Sequence, residues 1–298
     1  ACSNINDIYS IFYYSYNGYS FVLNNYYETK SLYLGNSIVK FNNEYICSAY
    51  GSDCIYRFDM SLNFISSIKY LANSNYGKQL ASNDDFLFVA APAFNNSQGI
   101  VLTYNKDFIN IQQITINNSI RLGISISLNE YNILIIGEKN KAYEYIYTQE
   151  TFQQTHIFYP PENTKYDILG TSIYENFGNK VIIDRDNYVY ISASYLNYKS
   201  GIVYIYKKIY NIHTLIQRIL PIETINNNQF GYNISLNNNY VVIYSKFNNG
   251  QAHIYNRNIH VNVANNQSQS IIETNETNET NEKDKKNKRQ KTNENNNS

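Results

Sequence analysis

The chain contains the same sequence pattern five times. Each copy opens with a bulky residue before a glycine and continues with a β-rich stretch, a short Asn/Asp turn and a run of β-branched and aromatic residues. The repeat glycines are 42, 46, 55 and 53 residues apart, which is the size of one four-stranded propeller blade. These repeat glycines are Gly35, Gly77, Gly123, Gly178 and Gly231.

Hydrophobic periodicity within each copy predicts the strands. Apolar and polar residues alternate in the first strand, as in 124–128, so one face points inward. Turn residues such as those of 83–85 follow, and the second strand is a nearly continuous apolar run, as in 133–136, which predicts burial on both faces. A third strand and a more polar outer strand complete the copy. The pattern predicts an all-β protein, a β-propeller of about six (five to seven) four-stranded antiparallel blades.

The order of these motifs resembles the FG-GAP repeat family, the β-propeller fold of integrin α-chain heads. The best copy is 177–207, with small residues at 192–194 after the second strand and a Gly-x-Val-x-x-Tyr third strand from Gly201. The resemblance covers residues 8–261, and residues 8–34 look like a partial copy that lacks its first strand and has 18–23 as its third. It implies a non-enzymatic extracellular or cell-surface module that binds a protein or glycan.

Calcium-binding members of that family carry an Asp-x-Asp/Asn-x-Asp-Gly loop between the first two strands, because Ca²⁺ needs six to eight converging oxygens. The corresponding turns here are too short. The nearest approach, 184–187, has two carboxylates with an arginine between them and no glycine. We therefore predict a non-calcium-binding variant with no metal site and no cofactor.

Binding in such a fold is expected on the loops that join strands two and three, since these share one face of the rigid scaffold. Two alternatives to the recognition module stay open. One is a propeller hydrolase or lyase acting on polysaccharide, which would need carboxylates clustered at the central channel. The other is an intracellular propeller scaffold. The candidate loops are 48–53, 93–98, 195–200 and 246–249.

Familiar catalytic patterns do not occur in the sequence. The four histidines are far apart in the chain and show no His-x-x-x-His spacing. Asp84 and Asp85 are adjacent, so their side chains point apart, which is wrong for acid/base work across one bond. We therefore expect no enzymatic activity. The histidines are His156, His213, His253 and His260.

Cysteines and glycosylation sequons both favour an oxidising compartment. Cys47 ends a second strand and Cys54 begins the next, so a disulfide across that hairpin is predicted, with two buried reduced thiols as the alternative. Asn-x-Ser/Thr triplets supply candidate glycosylation sites, although such triplets also arise by chance in a chain this rich in asparagine. The candidate acceptors are Asn95, Asn117, Asn266, Asn275 and Asn278.

Charge and targeting signals limit the partners. Lys and Arg together number 24 and so do Asp and Glu, so nucleic acid is an unfavourable partner for a folded part without a basic excess. The chain opens without Met, which indicates a removed signal peptide or a fragment, and it lacks the roughly 20 apolar residues that span a bilayer. We expect an extracellular or surface-located monomer, attached to membrane only through parts outside this chain.

The C-terminal segment differs from the repeats. Residues 262–298 are dominated by Asn, Glu, Lys, Thr and Ser, a composition that predicts a disordered polar tail. Its basic run at 283–291 is interpreted as a solvated stalk, with a nuclear signal or a patch for an acidic partner as the alternatives.

Overall fold

A computed structural model describes residues 2–5, 8–161, 176–195, 200–221, 228–246 and 250–257. Within these residues the chain is an all-β propeller of antiparallel sheets with almost no helix, which confirms the predicted fold class. Five blades carry the repeat glycines, and a three-stranded sheet precedes them. No helix among the described residues has the length and apolar character needed to cross a membrane.

The N-terminal sheet has the order β1-β2-β3, with β1 at Cys2–Ile5, β2 at Ile8–Tyr16 and β3 at Phe21–Thr29. A partial copy with 18–23 as its third strand was predicted here, whereas the strand in this region begins at Phe21 and not at Gly18. Residues 17–20 form the β2–β3 turn instead, in which the Asn17 side chain accepts hydrogen bonds from two backbone N–H groups.

Blades 1 to 4 each have four strands in sequence order, and blade 5 has three described strands. Blade 1 comprises β4 (Leu34–Phe41), β5 (Glu44–Ala49), β6 (Cys54–Phe58) and β7 (Phe64–Lys69). Blade 2 comprises β8 (Gln79–Ser82), β9 (Leu87–Ala91), β10 (Ile100–Tyr104) and β11 (Asn110–Ile114). Blade 3 comprises β12 (Ser125–Leu128), β13 (Ile133–Glu138), β14 (Lys141–Thr148) and β15 (Thr151–Phe158).

Blade 4 comprises β16 (Phe177–Ile183), β17 (Tyr188–Ala193), β18 (Ile202–Ile209) and β19 (Ile212–Ile219). Blade 5 comprises β20 (Phe230–Leu236), β21 (Tyr240–Ser245) and β22 (Gln251–Asn256). Two single helical turns, at Tyr50–Ser52 and Phe94–Ser97, lie between the second and third strands of blades 1 and 2. The core is divided among clusters that lie between successive sheets and contain the predicted apolar second strands.

The repeat glycines are explained by how the blades meet. Gly178 has φ +90°, and a Cβ built on it would lie 2.2 Å from the carbonyl oxygen of Lys141 in the preceding blade. At Gly123 the same atom would lie 2.8 Å from Cβ of Ala90, one of the small residues that follow an apolar second strand. Only glycine combines this backbone conformation with so little space. The motif therefore specifies a backbone contact between blades.

The predicted Asn/Asp turns join the first strand of each blade to the second, at the end of the blade opposite to the repeat glycine. They also connect neighbouring blades. Asn83 accepts a hydrogen bond from the N–H of Phe86 in its own turn, while its amide donates to the carbonyl oxygen of Asn129 in the next blade at 3.0 Å. Asn129 repeats this arrangement, accepting from Ile133 N–H and donating to Oδ1 of Asn187. Each side chain thus closes one hairpin and contacts the next.

Candidate functional site

Aromatic and cationic side chains meet at the end of the blades where the repeat glycines lie. The rings of Tyr33 and Tyr50 are stacked, with centroids 4.7 Å apart and an angle of 5° between their planes. The Nζ atom of Lys78 lies 3.7 Å from the centroid of the Tyr50 ring, in cation–π contact. These three residues, together with Arg121, Tyr232 and Lys246, are called the Tyr-Lys cluster below.

The N-terminal sheet and blade 1 position the stacked pair. Tyr50 opens the helical turn between β5 and β6, and Tyr33 directly precedes β4. A Cβ on Gly51 would lie 2.6 Å from the Tyr33 ring, so glycine at this position allows the two rings to stack. The Ser52 hydroxyl accepts a hydrogen bond from the N–H of Leu32, which fixes the segment that carries Tyr33.

Lys78 follows the repeat glycine of blade 2, and its side chain is partly withdrawn from solvent. Burial lowers the pKa of its ammonium group, Tyr232 opposes this shift and Arg121 adds to it. Burial, with a smaller contribution from Tyr232, raises the pKa of the Tyr50 phenol. The cluster therefore contains an amine that releases its proton more readily than an ordinary lysine does.

Blade 5 contributes the remaining side of the cluster. Tyr232 follows the repeat glycine Gly231, just as Lys78 follows Gly77. The Nζ atom of Lys246 lies 4.7 Å from the centroid of the Tyr232 ring. All three charged groups in the cluster are cations, so an anionic ligand would be attracted to it.

A second polar cluster is buried between the outer strands of blades 3 and 4. The Glu144 side chain is only 2% exposed, and its carboxylate lies 2.9 Å from Nε2 of His213 and 3.3 Å from Nζ of Lys208. Thr155 donates a hydrogen bond to it at 2.7 Å. Burial alone would raise the pKa of Glu144, but the contacts with His213, Thr155 and Lys208 outweigh burial and lower the pKa to about 2. This carboxylate is held as an anion inside the protein.

Two of the four histidines, which are far apart in the sequence, meet at this second cluster. The ring centroids of His156 and His213 are 4.6 Å apart, and Phe158 packs edge-on against both. His253 lies on β22 and packs against Phe230. His260 falls outside the described residues. We assign the Glu144 cluster a structural role, because it is enclosed and its charges are paired.

The disulfide predicted between Cys47 and Cys54 is not formed. Cys47 faces Tyr56 in the β5–β6 register, whereas Cys54 faces Ala49, so the two cysteines are diagonal neighbours. Diagonal positions on paired strands are about 7–8 Å apart, beyond the usual Cα separation for a disulfide. Both side chains are buried thiols, as the alternative interpretation held. Burial raises the pKa of the Cys54 thiol.

The remaining predicted sites are distributed over the surface. Asn95 and Asn117 are exposed, and Asn95 donates a hydrogen bond to Gln98 within its loop. The hydroxyl of Ser119, in the second sequon, donates to backbone carbonyls instead of facing solvent. Glycosylation at these positions stays a prediction, and the acceptors Asn266, Asn275 and Asn278 lie outside the described residues, as does the tail at 262–298.

The turn at 184–187, the nearest approach to a calcium loop and predicted not to bind calcium, is a hairpin closed by its own carboxylate. Asp184 accepts a hydrogen bond from the N–H of Tyr188 at 2.9 Å, and the guanidinium of Arg257 contacts both Asp184 and Asp186. Within the described parts of the chain, no three His, Cys, Asp or Glu side chains are grouped to hold a metal ion. Asp84 and Asp85 lie in the blade 2 turn, where Asp85 pairs with Lys106.

Two of the predicted binding loops contribute residues to the Tyr-Lys cluster, whereas most of its residues were not predicted from the sequence. The loops 48–53 and 246–249 were predicted to carry the ligand site, and they supply Tyr50 and Lys246; residues 247–249 and 196–199 lie outside the described residues. Lys78 and Tyr232 were missed because the repeat glycines were interpreted only as structural. The position after each repeat glycine was the signal that could have revealed them.

Comparison with known proteins supports the fold. No protein-family model matches the chain, and no curated protein matches it by sequence. A streptogramin B lyase structure aligns with a TM-score of 0.49 and 10% identity, over 83% of this chain and 72% of the other. A virginiamycin B lyase from Staphylococcus aureus aligns with a TM-score of 0.50 and 11% identity, over 81% of this chain and 75% of the other. Identities this low establish the propeller architecture only.

These comparisons correct the leading sequence interpretation. A non-enzymatic extracellular recognition module was preferred, but the virginiamycin B lyase that resembles this chain in fold is an enzyme, which agrees better with the alternative of a propeller hydrolase or lyase. The FG-GAP resemblance, the extracellular location and the predicted partners are not tested by them. Each of these stays a prediction.

Proposed function

We propose that the protein is a lyase that cleaves an acidic polysaccharide at the Tyr-Lys cluster. The observation that carries the proposal is Lys78, an amine with a lowered pKa held 3.7 Å from an aromatic ring beside further cations. Burial lowers the pKa of the Lys78 ammonium group, which is the direction of change that favours a general base. The architecture is compatible with this chemistry, since a propeller with the same fold is a virginiamycin B lyase.

The type of charge in the cluster distinguishes a lyase from a hydrolase. Glycoside hydrolysis commonly uses a pair of carboxylates on either side of the scissile bond. In contrast, the charged members of the Tyr-Lys cluster are Lys78, Arg121 and Lys246. Elimination next to a uronic acid carboxylate needs a base for the proton and cations for the negative charge that develops, and this cluster supplies both.

The proposed reaction is a β-elimination. Lys78, in its neutral form, removes the proton from the carbon next to the substrate carboxylate, while Arg121 and Lys246 hold that carboxylate. The electron pair of the broken C–H bond forms a carbon–carbon double bond, and the C–O bond to the neighbouring sugar breaks. Tyr232 donates its phenolic proton to the departing oxygen. The exposed Tyr33 ring, stacked on Tyr50, offers a face for a sugar ring.

Lys78→Met tests the assignment, because it keeps the length of the side chain and removes the amine. The full chain is incubated with polygalacturonate, alginate and chondroitin sulfate, and the ultraviolet absorbance of the unsaturated product is followed. We expect kcat to fall by about 10²–10⁴-fold, the usual contribution of a general base, with a smaller change in KM. The matched control is Lys106→Met, whose exposed amine pairs with Asp85 in a blade 2 turn.

Three results would contradict the proposal. Equal losses in the Lys78 and Lys106 variants would show that lysine at position 78 has no special role. Turnover of virginiamycin B but not of the three polysaccharides would retain a lyase and reject the acidic substrate. Saturated products would identify a hydrolase.

A further inference from the structure

One residue in each blade has a left-handed backbone conformation directly before the third strand. The φ angles at these five positions lie between +50° and +88°. This conformation favours glycine, which three of the blades have there, whereas blade 3 has asparagine and blade 1 has aspartate. Blade 1 thus places a carboxylate where the backbone conformation by itself favours glycine. The residues, in blade order, are Asp53, Gly99, Asn140, Gly201 and Gly250.

The Asp53 carboxylate contacts the segment that leads into blade 2. It accepts hydrogen bonds from the backbone N–H of Asn73 at 2.6 Å, from the hydroxyl of Ser74 at 3.1 Å and from the backbone N–H of Tyr76 at 3.1 Å. Hydrogen bonds to a carboxylate are charge-assisted and roughly twice as strong as those between neutral groups. One side chain thus fixes the segment that ends two residues before Lys78.

Backbone carbonyl groups place the corresponding segment in other blades. The residue before the repeat glycine donates its N–H to the carbonyl oxygen of Gln98 between blades 2 and 3, and to that of Ser200 between blades 4 and 5, both at 2.9 Å. Between blades 3 and 4, the Asn140 side chain accepts a hydrogen bond from the N–H of Asn176 at 3.1 Å. A carboxylate is therefore not a requirement of the fold at this position.

Asp53 also holds the turn that carries Tyr50. Its backbone N–H donates to the carbonyl oxygen of Tyr50 at 3.2 Å, which closes the helical turn between β5 and β6. On the other side, Tyr76 is itself anchored, because its side chain is fully buried and its hydroxyl lies 2.8 Å from that of Tyr104. Asp53 therefore connects the two segments whose side chains form the contact between Lys78 and the Tyr50 ring.

We propose that Asp53 is a positioning residue of the Tyr-Lys cluster, which sets the distance between the Lys78 amine and the Tyr50 ring. The inference rests on the proposed lyase function, in which Lys78 removes the substrate proton. Asp53 acts through Lys78 and not on the substrate, since its carboxylate is engaged with the segment before that lysine. Position matters for the rate, because a displacement of about 1 Å in a reacting group can cost about 10²-fold.

Three variants separate positioning from general stability. Asp53→Gly removes the carboxylate and installs the residue that blades 2, 4 and 5 have at this position, so the backbone conformation stays favourable. Asp53→Asn keeps one acceptor oxygen, as Asn140 does in blade 3. Asn140→Gly is the matched control, because it removes the hydrogen bond at the same position of blade 3. Circular dichroism shows which variants fold, and Asp53→Asn decides the question if Asp53→Gly does not.

The protonation of Lys78 gives a readout that does not depend on activity. Its acetylation by trace acetic anhydride is followed by mass spectrometry as a function of pH, with the exposed Lys106 as the internal reference. Burial lowers the pKa of Lys78, so a looser segment should raise that pKa in Asp53→Gly, less in Asp53→Asn and not in Asn140→Gly. The other groups that face Lys78, which none of these variants changes, are Tyr33, Tyr50, Tyr232 and Arg121.

Turnover gives the second readout. On whichever of the three polysaccharides the unsubstituted protein cleaves, Asp53→Gly should lower kcat by about 10²-fold, with a smaller change in KM. An unchanged titration of Lys78 in Asp53→Gly, or an equal change in Asn140→Gly, would overturn the positioning role. If the unsubstituted protein forms no unsaturated product, the lyase proposal fails, while the titration of Lys78 still decides what Asp53 does.

Discussion

Replacing Gly178 with alanine should separate the two reasons for a repeat glycine, its backbone conformation and the space it leaves. Gly178 has φ +90°, and the added Cβ would lie 2.2 Å from Lys141 O and 2.7 Å from Glu138 O. Gly18 provides the matched control, since its φ is +97° and a Cβ there would meet nothing within 4 Å. The two substitutions therefore share the backbone strain and differ in the steric clash.

The magnitudes follow from these distances. A left-handed backbone conformation lowers the free energy of unfolding by about 1–2 kcal/mol for a residue with a Cβ. Alanine also restricts the unfolded chain more than glycine does, and this offsets the loss by about 0.4–1 kcal/mol. Gly18→Ala should thus stay within about 1 kcal/mol of the unsubstituted protein. Gly178→Ala must also move two backbone carbonyls, and overpacking of this kind adds about 1–3 kcal/mol. We expect a total loss of about 2–4 kcal/mol for the latter.

Urea unfolding followed by far-ultraviolet circular dichroism measures both changes, because the sheets dominate that signal and the chain has no Trp. A clearly lower midpoint for Gly178→Ala than for Gly18→Ala is the expected result. If the free energies of unfolding of the two variants agreed within about 0.5 kcal/mol, the blade-to-blade contact would not be the reason for the glycine.

Two further predictions concern buried groups. The low pKa of Glu144 contributes stability that is present above its ordinary value of 4.5 and is lost as the pH falls towards 2. Glu144→Gln should therefore lower the free energy of unfolding in urea at about pH 6 by on the order of 2 kcal/mol and have little effect near pH 2. The exposed Glu130→Gln should leave the free energy of unfolding unchanged at both pH values, and a loss in the Glu144 variant that did not vary with pH would contradict this account. Cys47 and Cys54 should be alkylated by iodoacetamide only after unfolding, and peptide mapping without reductant should show no bond between them; a disulfide-linked Cys47–Cys54 peptide would refute the register described above.

Much of the fold could be predicted from the sequence because the spacing of the copies, the hydrophobic periodicity and the turn residues all indicate the same order of strands. The repeat glycines, the apolar second strands and the Asn/Asp turns all appear where the pattern placed them. The error at Gly18 has a physical cause, since glycine beside asparagine is a turn signal as well as a strand boundary.

The site was less predictable because its residues come from separate blades. Tyr33, Lys78 and Tyr232 are ordinary residues in their local sequence, and their meeting depends on the arrangement of the blades in space. Glu144 and His213 show the same limit, since 69 positions separate them in the chain and only the packing of blade 3 on blade 4 brings them to 2.9 Å. The disulfide prediction was wrong because two cysteines that are close together in a hairpin need not face each other across the two strands.

The amide contacts between hairpin turns have a direction that bears on synthesis. The amide of Asn83 reaches forward to blade 3 and that of Asn129 reaches forward to blade 4, so each turn is completed by sequence that follows it. While the chain leaves the ribosome from its N-terminus, the amides of Asn83 and Asn129 are hydrogen-bonded to water until the following blade has emerged. Nascent blades should consequently gain their full rigidity one blade behind the point of synthesis.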